Sequence, residues 1–176
     1  MRFPTDVPVK LVMLGTGGTG GHAAPHLYRL LHALNRPGIW EIKEGPYLYK
    51  LKREMVLLLG CVDNNKSRRL CHEAFCQSQD LVYIDSGNEE FSGQVVCGVR
   101  RNGRTIFKPV GGIAPEILKA QDRFPSEISC AEAATVMVDM VYNILAHGRS
   151  SVRVTEFSTQ TAKMQTTLES AKRVAA

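Results

Sequence analysis

Two clusters of residues in this sequence have the types and spacing of a phosphate-handling site. The first is Gly15-Thr16-Gly17-Gly18-Thr19-Gly20-Gly21, in which Gly15, Gly17 and Gly20 fit the pattern G-x-G-x-x-G. Glycine serves such a loop in two ways. It lets the backbone turn with positive φ, and it lacks the Cβ that would hold a phosphate away from the N–H groups of a helix N-terminus. The amides from Gly17 to Gly20 are therefore the candidate phosphate contacts; a loop that only packs a helix on a sheet needs fewer glycines. The second cluster is Asp63-Asn64-Asn65-Lys66-Ser67-Arg68. Asp63, a hard oxygen ligand after a buried strand, suits Mg²⁺, and its competing role is to cap the following helix. Arg68 falls about one turn into that helix, facing either the phosphates or a structural partner.

These residues need elements to position them. The apolar run Leu11 to Leu14 ahead of the loop reads as a buried strand. Behind it, Ala23, Ala24, Leu27, Leu30, Leu31 and Leu34 recur at helical spacing, with Pro25 expected in the first turn or so. Strand, glycine loop and helix open a nucleotide-binding α/β unit. Met55 to Val62 reads as a central parallel strand. It is followed by a helix over Ser67 to Gln77 with Leu70, Ala74 and Phe75 inward, and by a strand over Leu81 to Ile84 closed by Asp85-Ser86-Gly87. Gln94 to Arg100 and Thr105 to Lys108 flank Asn102-Gly103, a hairpin signal. A short strand over Ile39 to Ile42, helices over Pro115 to Gln121 and Ala131 to Ala146, a strand over Val152 to Phe157 and a polar, helical or frayed C-terminus complete the reading. The result is an α/β domain whose mixed sheet has a parallel core and an antiparallel hairpin. If the strands before Gly15 and Asp63 are neighbours, both clusters face one cleft.

The composition sets wider bounds. At 176 residues the chain is expected to form one domain over residues 1–176. The excess of 22 Lys+Arg over 17 Asp+Glu is mild, and without interleaved aromatics it is no case for nucleic acid. The N-terminus lacks the basic start and apolar core of a signal peptide. Met55 to Val62 is too short to span a bilayer, so no membrane partner is expected. Five cysteines (61, 71, 76, 97 and 130) form no C-x-x-C pair, which suits reduced thiols in a cytoplasm.

The motifs resemble those of the ThiF/MoeB/HesA superfamily, related to ubiquitin-activating enzymes. LGTGGTGG is similar to that family's GxGGxG loop, and Asp63-Asn64-Asn65-Lys66-Ser67-Arg68 matches its DNxxxR motif. Gly87 to Val96 and Ser129-Cys130-Ala131-Glu132 resemble more closely the ThiF-related protein of the PRTRC cassette. The resemblance implies a Rossmann-like three-layer fold and ATP- and Mg²⁺-dependent adenylation of a carboxylate. The carboxylate would be the C-terminus of a small ubiquitin-like β-grasp protein, and the enzyme a homodimer. It assigns catalytic roles to Asp63 and Arg68, the metal to Asp63, and nucleotide contacts to Gly15, Gly17, Gly18, Thr19, Gly20 and Asn64. Cys130 is the counterpart of a thiol that accepts the activated partner in some relatives; a buried packing thiol is the other reading.

Three features depart from that family. Between Leu34 and Met55 there are about twenty residues, too few for two further strand–helix units. The acidic ribose motif and the phosphate-binding Asn, Arg and Lys expected there are absent. Glu41 stands near the ribose offset, but in the setting IWEIKEG. The N-terminal arginine that relatives insert into a neighbour's site has no counterpart, and Ala131-Glu132-Ala133-Ala134 runs straight into TVMVDM without the family's glycine-patterned stretch. The preferred reading is that this sequence omits residues of the natural chain near 37–47 and 133–135. The other is a degenerate, inactive relative. Two further functions stay open: a nicotinamide-dependent oxidoreductase, which needs a ribose carboxylate, and a non-catalytic binding module. His22 and His26 share a helix face as a metal pair would but lack a third ligand, and Tyr47 and Tyr49 suit either adenine stacking or packing.

Overall fold

A computed structural model describes residues 2–3, 7–34, 38–42 (backbone only), 55–118, 125–150 and 152–168. The elements run β1 (Val9–Leu14), α1 (Gly18–Ala33), β2 (Gly38–Ile42), β3 (Met55–Gly60), α2 (Asn65–Gln77), β4 (Leu81–Asn88), β5 (Ser92–Arg101), β6 (Arg104–Phe107), α3 (Val110–Ile113), a 3-10 turn (Pro115–Leu118), α4 (Glu127–His147), β7 (Val152–Ser158) and β8 (Lys163–Leu168). One eight-stranded sheet carries the order β2-β1-β3-β4-β5-β7-β8, with β6 paired to β5 alone. The strands β2, β1, β3 and β4 are mutually parallel, and the rest of the sheet is antiparallel. This is the expected three-layer, Rossmann-like mixed sheet.

The strand period of two sorts the core into two faces. Leu11, Met13, Leu57, Leu59, Val82 and Ile84 pack beneath α1 and α4. The alternate residues Val12, Val56, Leu58, Leu81 and Tyr83 pack against Cys71 and Phe75 of α2. Both faces of β3 are thus buried, as its unbroken apolar run requires. By length and composition α4 would pass for a membrane span. Most of its apolar side chains, among them Ala133, Met137, Val141 and Ile144, belong to the core, where they cover the sheet and α1.

Turn chemistry accounts for the remaining shape. The β5–β6 hairpin closes on Asn102 and Gly103 at φ 48° and 72°, the double left-handed pair of a type I′ turn. Ser126 accepts from the Ser129 N–H at the start of α4 (3.2 Å), and Gly148 ends it at φ 59°.

Four expectations need correction. Pro25 lies in the second turn of α1, where it removes a helical N–H but keeps its ring exposed. Leu70 is 39% exposed; the inward stripe of α2 is Asn65, Arg68, Cys71 and Phe75. Strand β4 does not close at Asp85 but continues through it to Asn88, because β5 pairs with it along that length. The C-terminal segment over Lys163–Leu168 is a strand, antiparallel to β7. Helix α4 runs without interruption through Ala133, Ala134 and Thr135, and residues 43–54 lie outside the described structure.

Candidate nucleotide site

The first condition for a shared cleft is met. β1 and β3 are adjacent and parallel, with Leu14 opposite Gly60, and the Cys61 N–H donates to the Leu14 carbonyl at 2.8 Å. Gly17 and Asp63 each follow this pair of strand ends by three residues, so both loops leave the sheet side by side at its carboxyl edge. That edge is where open α/β sheets hold their ligands.

Within the glycine loop, steric environment divides the residues. Gly15 turns with φ 91°, and a Cβ there would meet the Cys61 carbonyl. A Cβ at Gly20 would meet the Gly15 carbonyl, and one at Gly18 would stand 2.6 Å from the Cys130 sulfur. Gly15 and Gly20 let α1 lie close to the ends of β1 and β3, and Gly18 lets it approach the start of α4. Gly17 differs: a Cβ there meets no described atom within 4 Å. It is the N-cap of α1, no side chain caps that helix, and its first turn carries no acidic residue. The N–H groups of the first turn and the positive end of the helix dipole are therefore left without a side-chain cap at an exposed loop. Thr19 is buried, and its hydroxyl oxygen accepts from Asn88 Nδ2 at 3.0 Å, tying the loop to the end of β4.

On the other side, Asn64 rather than Asp63 caps α2: its Oδ1 accepts from the Ser67 N–H at 2.8 Å. Asp63 is exposed. Of the two directions open to Arg68, the structure gives it structural partners. It is 7% exposed. Its Nε donates to Asp85 Oδ2 (3.0 Å), Nη1 to Asn65 Oδ1 (2.9 Å), and Nη2 to the carbonyls of Val62 (3.0 Å) and Ser86 (2.8 Å). Asp85 is 1% exposed. Desolvation pushes its carboxyl up to about 6, while the neighbouring Arg68 guanidinium pulls the other way. Around it, burial drives the Tyr83 hydroxyl well above its ordinary value and the Cys71 thiol up to about 12. Gly60 makes room for this cluster, since a Cβ there would meet Asp85 Oδ1 and the Tyr83 ring. Sequence reasoning missed Asp85; the available signal was an acid continuing the alternation of a buried strand, Leu81-Tyr83-Asp85.

The other candidates are placed as follows. Cys130 is 4% exposed, at the start of α4 under Gly18. Cys61 donates to the Met137 sulfur at 3.6 Å, and burial raises its thiol far above the ordinary range. His22 Nε2 pairs with Glu127 Oε1 at 2.6 Å, joining α1 to α4, while His26 is exposed. Among the described residues no three His, Cys, Asp or Glu side chains gather as a metal cluster. Magnesium bound to a nucleotide does not need one, because one or two carboxylates and the phosphates suffice; an exposed Asp63 beside open amides fits that donor set. Glu41 falls on β2, level with Val12 and next to the strand that feeds the loop. Tyr47 and Tyr49 lie outside the described residues.

No family model matches the sequence, and no curated protein matches it. Solved structures do match in fold. The Escherichia coli microcin synthetase McbBCD complex aligns with a TM-score of 0.59 at 11% identity, over 98% of this chain and 69% of that chain. E. coli MccB aligns at 0.57 and 11%, over 93% of this chain and 62% of its own. MccB solved with ATP aligns at 0.57 and 10%, over 97% and 65%. At such identity the likeness is one of fold. This chain spans about two thirds of the length of these neighbours.

Proposed function

We propose that this protein is an ATP-dependent adenylyltransferase of the ThiF/MoeB/HesA type, activating a carboxylate at the end of a peptide or small protein. The observation that carries this reading is the open, uncapped start of α1 at Gly17, set beside Asp63 across the adjoining ends of β1 and β3. Support comes from the fold neighbour MccB, solved with ATP and also with MccA, and from the McbBCD complex, solved with pro-MccB17. A ubiquitin-like β-grasp acceptor, a PRTRC-type relationship, a homodimer and a cytoplasmic setting are the narrower forms of this proposal.

A carboxylate is a poor electrophile until a good leaving group is attached. In the proposed reaction its oxygen attacks the α-phosphorus of ATP, the bond to the bridging oxygen breaks, and pyrophosphate departs with its electron pair. Such a transfer needs positioning and charge neutralisation more than covalent help. The Gly17 to Gly20 amides would bind and orient the phosphates at the positive end of α1. Asp63 would hold Mg²⁺, which when bound neutralises phosphate charge. Arg68, occupied by its four partners, would shape the Asp63 loop rather than touch the nucleotide. The carboxyl end of β2, where Glu41 stands in sequence, is the place from which a ribose carboxylate would serve ATP, and equally NAD(H) under the oxidoreductase reading.

The test is isotope exchange between ATP and pyrophosphate, with peptides or small proteins encoded beside this chain as acceptors. Exchange is expected to require Mg²⁺ and an acceptor, and to vanish in Asp63→Asn. Absence of both exchange and ATP binding would overturn the proposal, and calorimetric preference for NAD(H) over ATP would move it to the oxidoreductase. Tight acceptor binding without nucleotide affinity would make the protein a binding module.

A further inference from the structure

We propose that Asp85, acting through Arg68, is the positioning residue that holds the Asp63 loop in its working conformation at the end of β4. The proposal rests on the nucleotide site described above. One guanidinium joins four points: Val62 and Asn65, which bracket Asp63, and Asp85 and Ser86, which belong to β4. Asp63 itself is exposed, so the loop's geometry depends on these flanking bonds and on the Asn64 cap. The side chains of Arg68 and Asp85 are 8% and 1% exposed. An ion pair so desolvated is poor evidence for stability, since an apolar pair of similar volume serves as well; what it adds is fixed direction. Arg supplies that direction through its planar, multiply donating fork. Without the Asp85 charge the guanidinium is a buried cation lacking its counter-ion. Any move of that cation toward water breaks its bonds to Val62 and Asn65, the two residues that bracket Asp63.

The same arrangement makes the latch sensitive to protons. The groups facing Asp85 are Arg68, Tyr83, Cys71 and, from the end of β3, Cys61. Both thiols and the phenol are held neutral by burial, so Asp85 is the group of this set that changes charge near pH 6.

The experiment compares the full chain with its Asp85→Asn and Asp85→Glu variants. It follows amide hydrogen exchange at residues 62–67 and the kinetics of ATP–pyrophosphate exchange against Mg²⁺ and pH. In Asp85→Asn, exchange at residues 62–67 is expected to accelerate about tenfold or more, while core amides of β1 and β3 stay protected. The Mg²⁺ requirement should rise about tenfold with a smaller change in kcat. The acid limb of the activity profile near pH 6 should disappear, and Asp85→Glu should restore part of the loop protection. Should Asp85→Asn fail to fold, the unaltered protein carries the test: exchange at 62–67, corrected for intrinsic rates, should accelerate on lowering the pH from about 7 to about 5. Loop exchange unchanged in the variant and across that range, or loosened uniformly with the whole sheet, would overturn the proposal. Loop loosening in a protein that shows no nucleotide binding would uphold the latch and overturn the adenylyltransferase reading instead.

Discussion

Gly17→Ala tests whether Gly17 serves a ligand or only the packing of the loop. Gly17 sits at φ −68° as the N-cap of α1, a backbone angle open to any L residue. Its added methyl meets no described atom within 4 Å. The cost to the fold is that of alanine in place of glycine at an uncapped helix start, about 1 kcal/mol at most. A phosphate seated on the α1 amides would meet that methyl and be pushed beyond hydrogen-bond reach. Charge-assisted hydrogen bonds contribute about 1.5–3 kcal/mol each, so losing one or two weakens ATP binding by about 2–5 kcal/mol. That corresponds to about 30- to 4,000-fold in Kd. The assay pairs calorimetric titration with Mg·ATP and a thermal melt of the same sample. Gly15→Ala is the contrasting variant: at φ 91° and against the Cys61 carbonyl, it should lose the fold itself. A Gly17→Ala protein that melts like the parent and binds ATP within about threefold of it would refute the placement of phosphate on these amides.

Other variants probe the neighbouring parts. Gly18→Ala should destabilise by about 1–3 kcal/mol through overpacking against Cys130, and Cys130→Ala should recover part of that loss in a double-mutant cycle read by denaturant unfolding. Asn64→Ala should cost about 1 kcal/mol as a lost cap. Asp63→Asn, at an exposed position that caps nothing, should melt within about 0.5 kcal/mol of the parent yet lose Mg²⁺-dependent turnover. The pH dependence of stability has a definite sign at Asp85. Its folded carboxyl is raised to about 6 by desolvation, so between the ordinary carboxylate range and pH 6 the folded state holds the proton that the unfolded chain has released. For global unfolding, where the carboxyl becomes fully solvated, the contribution of Asp85 is therefore most favourable below about pH 4 and is lost as the pH rises through about 6. Local opening of the Asp63 loop, in which Asp85 stays buried and loses only Arg68, runs the other way. Denaturant unfolding across that window should show the slope in the parent and not in Asp85→Asn.

Much of the glycine-loop half of the candidate site is readable from sequence because its determinants are local. A six-residue strand, a glycine loop and an amphipathic helix are continuous in the chain, and the strand signal of β3 is a simple apolar run. The misreadings share a cause. Hydrophobicity alone phases α2 with Leu70 inward, whereas the buried face holds Arg68, a charge that periodicity counts as outward. Asp85 reads from sequence as the close of its strand, since the partner that admits an acid to the core is 17 residues away. Strand β8 was missed because all six of its residues are exposed. With no buried face to reveal a period of two, it is defined only by pairing with β7.

Taken by itself, the order of residues determined the two candidate motifs, the strand–loop–helix that opens the domain, and the α/β class. Backbone φ, helical spacing and turn chemistry act over a few residues, so those outcomes are written in adjacent letters. Only the tertiary structure decided that β1 and β3 are neighbours, that Gly17 is open while Gly15, Gly18 and Gly20 are filled, and that Arg68 turns inward to Asp85. Those facts depend on which distant segments share a volume, and on the cost of leaving a buried charge without its counter-ion.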